Sequence, residues 1–172
     1  MRKSSRRAAR DKGAPAGGQS PPALAILRSV AVHPTAVPYV HISELRVRYA
    51  ETDRMGVVYH ANYLAWCEVG RTDYIRSGGI TYRQMEERGV ALAVADATIR
   101  YHAPARYDDL VRVETSLTDV RSRSVTFDYV IFRVDDGARL VTASTRLVSL
   151  DRDGRPAVLP SDVRETLERA RG

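Results

Sequence analysis

The chain has 172 residues, 44% hydrophobic and 28% charged, which is room for one globular domain and a tail. The net charge of +6 is confined to the N-terminus: seven of the 27 basic residues (Arg2, Lys3, Arg6, Arg7, Arg10, Lys12, Arg28) and one of the 21 acids (Asp11) precede residue 29, leaving 20 of each sign in the remainder. A neutral domain gives no support for nucleic-acid binding by the fold, a single cysteine (Cys67) excludes an intrachain disulfide, and no apolar run approaches the ~20 residues of a membrane span.

In chain order, residues 1–38 read as a disordered basic tail, punctuated by Gly13, Pro15, Gly17, Gly18, Pro21 and Pro22. Its Arg- and Ser-rich opening resembles an organellar transit peptide; a disordered extension, or a start codon placed too early, is the blander alternative. With no signal for secretion, a cytoplasmic location is expected. Residues 39–172 form the expected domain. Leu45, Val47 and Tyr49 alternate with Glu44, Arg46 and Arg48, the period-two pattern of a half-buried strand. After a loop containing Gly56, residues 61–76 form a proline-free helix stopped by Ser77-Gly78-Gly79. Its first half (Leu64, Ala65, Trp66, Cys67, Val69) is apolar on nearly every side, which predicts enclosure by other structure. A shorter helix over 81–88 ends at Gly89, and strands follow at 91–102, 109–119, 124–134 and 139–149, with Asp136-Gly137 as a hairpin signal. Pro160-Ser161-Asp162 opens a short C-terminal helix. This order predicts an α+β fold in which a five-stranded antiparallel sheet wraps round a central helix.

The chemistry-bearing stretch runs from Tyr49 to Tyr63. Asp53 is expected to end the first strand, in the loop that feeds the helix N-terminus. A carboxylate there sits beside free backbone N–H groups and the positive end of a helix dipole, so an oxyanion could be bound while the carboxylate attacks a substrate or activates water. An aspartate before a helix also serves as an ordinary cap or turn residue, and spacing alone leaves both roles open. Gly56 would permit a tight turn. No two Cys or His residues have metal-ligand spacing among the scattered His33, His41, His60 and His102, and neither a Gly-x-Ser-x-Gly elbow nor a phosphate-cradling glycine loop is present.

The run Tyr49, Thr52-Asp53, Gly56, Tyr59-His60-Ala61-Asn62-Tyr63, continued by Glu68 and Arg71-Thr72 and more weakly by Tyr101, Pro104, Tyr107-Asp108-Asp109 and Arg121-Ser122, resembles the signature of the 4-hydroxybenzoyl-CoA thioesterase family. It is most similar to the bacterial acyl-CoA thioesterases encoded beside the Tol-Pal system. The resemblance spans residues 43–150 and implies the hot-dog fold, with residues 39–172 as a thioesterase domain. It implies an acyl-CoA substrate without cofactor or metal, with Asp53 as nucleophile or general base and the backbone N–H at His60 as oxyanion donor. The His60 ring is either a wall of the acyl site or a structural histidine. Tyr59, Tyr63 and Trp66 line the acyl pocket or pack the core. Arg121, Arg123 and Arg146 are candidates for the phosphates of coenzyme A, often reached across a subunit boundary in relatives. Glu68 is either a secondary carboxylate or an ion-pair partner of Arg71 or of a neighbouring subunit. Gly70 replaces an alanine commoner in relatives, which permits close packing at a cost of ~1 kcal/mol in helix propensity. Relatives form dimers that pair into tetramers, so a homotetramer is expected. Hot-dog dehydratase chemistry and a non-catalytic acyl-binding scaffold are the competing functions.

Overall fold

The computed structural model describes residues 39–171, and the basic tail lies outside the described residues. The elements in order are β1 (Val40–Arg46), a 3-10 turn (Tyr49–Glu51), α1 (Asn62–Ser77), α2 (Tyr82–Glu87), β2 (Ala91–Tyr101), β3 (Leu110–Val120), β4 (Ser124–Arg133), β5 (Arg139–Leu150) and α3 (Ser161–Arg171). All five strands form one antiparallel sheet in the order β1-β3-β4-β5-β2. The expected α+β architecture is borne out, but β2 is not the neighbour of β3. It pairs with β5 at the far edge, and residues 102–109 carry the chain back across the end of the sheet. No helix among the described residues is long and apolar enough to cross a membrane.

Alternation decides which sheet face is inside. Val111, Val113, Thr115 and Leu117 of β3, Val125, Phe127, Tyr129 and Ile131 of β4, and Val141, Ala143, Thr145 and Leu147 of β5 are all buried. They pack against α1, whose buried residues Tyr63, Trp66, Cys67, Gly70, Arg71, Tyr74 and Ile75 recur at helical spacing. Tyr74 and Phe127 meet edge to face at 5.6 Å.

Two expectations need correction. Helix α1 is not enclosed on all sides: Leu64, Ala65, Glu68 and Val69 are exposed, because a single sheet covers one side of a helix only. The first strand also ends earlier than its alternation suggests. Val47 still pairs through its N–H to the Asp109 carbonyl (2.9 Å), but Tyr49 opens the 3-10 turn, is 78% exposed, and rests edge-on against Tyr107. Asp53 therefore lies seven residues beyond the end of β1 rather than at its tip.

Strand β2 is exposed along most of its length, with Val94 among its outward apolar side chains. An eleven-residue edge with unpaired backbone groups and small apolar side chains is a template for further strand pairing.

Candidate active site

Asp53 stands in a tight hairpin. Its N–H donates to the Val57 carbonyl (2.9 Å), its carbonyl accepts from the Gly56 N–H (3.0 Å), and Thr52 and Val58 form an antiparallel bridge beneath them. Gly56 adopts φ +72, the left-handed conformation that glycine reaches at least cost. The half-buried Asp53 side chain accepts a bond from the Met55 N–H through Oδ1 (2.8 Å), an Asx turn that fixes its direction and leaves the second oxygen for other partners.

From Val58 the chain runs straight into α1. The N-cap, Ala61, offers no side-chain acceptor, and among the described residues nothing accepts the His60 N–H. The Asn62 N–H turns back to the Tyr59 carbonyl (2.9 Å) and the Leu64 N–H to the Ala61 carbonyl (3.1 Å), so this end of the helix leaves the His60 N–H open beside its positive dipole. Three bonds tie it to the 101–105 segment. The Tyr101 hydroxyl donates to the His60 carbonyl (3.0 Å), the Ala105 N–H donates to the Tyr63 hydroxyl (2.9 Å), and the Val58 N–H donates to the Ala105 carbonyl (2.9 Å). The 104–109 segment is itself braced by Arg133, which donates to the Pro104 carbonyl (2.6 Å) and to Asp109 Oδ2 (3.1 Å). Between these segments lies a cleft of about 270 Å³ lined by Val58, His60, Tyr63, Tyr101, His102, Ala103 and Pro104.

The sequence-derived residues divide into those the fold gathers and those it separates. Asp53, Gly56 and His60 share one loop, and Tyr63 reaches the cleft although its hydroxyl is committed to Ala105. Tyr59 is outside the cleft lining, half exposed and tilted against the His60 ring at 4.3 Å. Trp66 is buried and belongs to the core. Arg121 and Arg123 sit at the β3–β4 turn, while Asp53 adjoins the opposite end of the strands. The ten residue steps of β3 put roughly 30 Å between them. Arg121 there pairs with Asp119 (2.6 Å). Arg146 is exposed, out of phase with the buried residues of β5. These arginines do not converge on Asp53 within one protomer. Glu68 is 70% exposed on the outer side of α1, 3.8 Å from Arg71, the loose ion pair anticipated for it.

Burial pushes the Cys67 thiol up to about 12, so it stays protonated and is no nucleophile. Among the described residues no three His, Cys, Asp or Glu side chains gather in a metal-binding group. Sequence reasoning missed Glu51, His102 and Arg133 and found Tyr101 only through resemblance. The contacts that place them at the site, with Trp66, Pro104, His60 and Thr142, span 15 to 41 residues in sequence, and no local pattern announces such contacts.

Residues 47–167 match the model of a family described as the Thioesterase-like superfamily. The chain belongs to this family. YneP of Bacillus subtilis is 40% identical over 116 residues, 66% of this chain and 83% of that one. The acyl-CoA thioester hydrolase YbgC of Escherichia coli O157:H7 is 34% identical over 69% of this chain and 89% of its own. A DHNA-CoA thioesterase from Staphylococcus aureus superposes with a TM-score of 0.72 at 35% identity, covering 76% of this chain and 89% of that one. The resemblance read from residues 49–63 is thus borne out, with the hot-dog fold it implied, and this thioesterase-like protein is a thioester hydrolase.

Proposed function

We propose that this thioesterase-like protein hydrolyses acyl-CoA to the free acid and CoA, with Asp53 as the reacting carboxylate. The observation that carries the proposal is the pairing of a directed carboxylate with an uncapped helix N-terminus on one short loop. The thioester carbonyl would lie against the His60 N–H, which stabilises the negative charge that develops on oxygen. Asp53 would then attack the carbonyl carbon to give a mixed anhydride, or remove a proton from an attacking water. The acyl group would occupy the cleft between His60, Tyr63 and Tyr101. The names of YbgC and of the Staphylococcus aureus enzyme support CoA as the thiol carrier. A cytoplasmic location remains our expectation. So does a division of the chain into the tail of residues 1–38 and the catalytic domain of 39–172.

Thiol release from a panel of acyl-CoAs tests the activity. Steady turnover on at least one member is expected, and tight binding without CoA release across the panel would favour the scaffold alternative instead.

We also propose a homo-oligomer, a dimer of dimers, in which β2 edges pair across one interface so that neighbouring subunits complete the CoA site. The exposed apolar edge supports it, and so does the distance of Arg121, Arg123 and Arg146 from Asp53. Val94→Lys, which places charge on that edge, should shift the sedimentation profile towards smaller species. It should also raise KM for acyl-CoA if arginines of a neighbour contact the nucleotide. An unchanged assembly would remove β2 from the interface.

A further inference from the structure

Glu51 is a buried acid that the catalytic scheme leaves unused, at 6% exposure two residues before Asp53. Its Oε1 accepts from Trp66 Nε1 (3.1 Å) and from Arg48 Nη2 (2.9 Å), while Oε2 accepts from the Arg48 N–H (2.7 Å). Its backbone carbonyl accepts from Asn62 Nδ2 (2.8 Å) and from the Tyr59 N–H (2.9 Å). Arg48 and Asn62 belong to the segments on either side of the Asp53 hairpin, and Trp66 lies on the buried face of α1. The bonds from Trp66, Asn62 and Tyr59 link the leg that carries the carboxylate to the leg that carries the His60 N–H, whereas the two from Arg48 brace the first leg itself.

We propose that Glu51 is a positioning residue that sets the distance between the Asp53 carboxylate and the N-terminus of α1, acting through its hydrogen bond to Trp66. The proposal presupposes Asp53 as the reacting carboxylate. The Arg48 ion pair is a lesser contributor, since Arg48 is mostly exposed and surface pairs of this kind are weak. The Trp66 bond is different. It is buried, so the low local dielectric strengthens it, and it ties the loop to a helix whose position the sheet fixes. The Glu51 side chain is too enclosed to touch substrate. A shift of about 1 Å between reacting groups costs up to about 100-fold in rate even when binding is intact, so loss of the clamp should appear in kcat rather than KM.

The experiment compares Glu51→Ala, Glu51→Gln, Trp66→Phe and the double variant Glu51→Ala/Trp66→Phe on the acyl-CoA that the wild type turns over best, with kcat referred to the folded fraction. Glu51→Ala should lower kcat by about 30- to 100-fold with KM within about threefold. Trp66→Phe, which deletes the donor and keeps most of the ring, should lower it by about tenfold. Glu51→Gln retains one acceptor and should recover part of the loss. The double variant should be no slower than Glu51→Ala, because both changes break one bond. Proportionate losses of stability with kcat of the folded protein within twofold of wild type would overturn the proposal, and so would a rise in KM at constant kcat. Should Glu51→Ala not fold, Trp66→Phe and Glu51→Gln decide it by the same criteria. Asp53→Asn, run in parallel, separates the two ideas: an active Asp53→Asn enzyme contradicts the choice of carboxylate, whereas an inactive one beside unaffected Glu51 variants contradicts only the clamp.

Discussion

Asp53→Asn should lower kcat by about 1,000-fold while leaving the melting temperature within a few degrees of wild type. The two halves of this expectation have separate causes. The loss of rate follows from chemistry, since an amide can neither attack a thioester as an anion nor take a proton from water at neutral pH. The retained fold follows from geometry. Among the described residues, the one bond the side chain makes is acceptance of the Met55 N–H through Oδ1, and an asparagine Oδ1 accepts the same bond. The neighbouring hairpin bonds are all backbone to backbone and do not depend on charge. Steady-state thiol release together with thermal denaturation checks both halves. Glu68 is the alternative carboxylate, and its exposed position on the far side of α1 predicts that Glu68→Gln retains most of the activity.

Gly70→Ala should destabilise the protein by about 1–2 kcal/mol, against the direction of helix propensity. Replacing glycine by alanine inside a helix ordinarily gains ~1 kcal/mol. Here the added Cβ would collide with Thr115 Oγ1 and come within 2.9 Å of Val113 Cγ1, where α1 crosses β3. Both neighbours are β-branched, fully buried and fixed in a sheet, so they cannot swing aside. Overpacking of this kind costs about 1–3 kcal/mol, and it outweighs the gain. The Thr115 hydroxyl has no hydrogen-bond partner among the described residues, so little is lost by removing it. Thr115→Ala in the Gly70→Ala background should therefore recover most of the stability, a coupling of about 1 kcal/mol or more in a double-mutant cycle followed by denaturant unfolding.

The same pair of residues shows why some features were legible in the sequence and others were not. Gly70 declared close packing, but only the fold reveals that the approaching group is a threonine 45 positions later. The Asp53 loop could be read because its working parts, from Thr52 to Tyr63, are contiguous and each has a local conformational reason. The extents of the later strands were equally plain, and the structure buries one face of β3, β4 and β5. Pairing order was not plain: β2 reaches β5 rather than β3, and periodicity within a strand carries no information about its neighbour. The apolar character of α1 was read as enclosure, yet Leu64 and Val69 face outward in the protomer. Composition alone does not distinguish an enclosed helix from one packed on a single side. Glu51 escaped notice for the opposite reason, because an acid flanked by arginines looks like a solvated loop until Trp66 is found against it.

A crystal structure of Asp53→Asn holding an intact acyl-CoA would test the placement of the chemistry most directly. The thioester carbonyl oxygen should lie about 3 Å from the His60 N–H, with the residue 53 side chain facing the carbonyl carbon and the acyl group in the cleft beside Tyr63 and Tyr101. A thioester seated instead on the outer face of α1 near Glu68, with the residue 53 side chain turned away from it, would contradict the account.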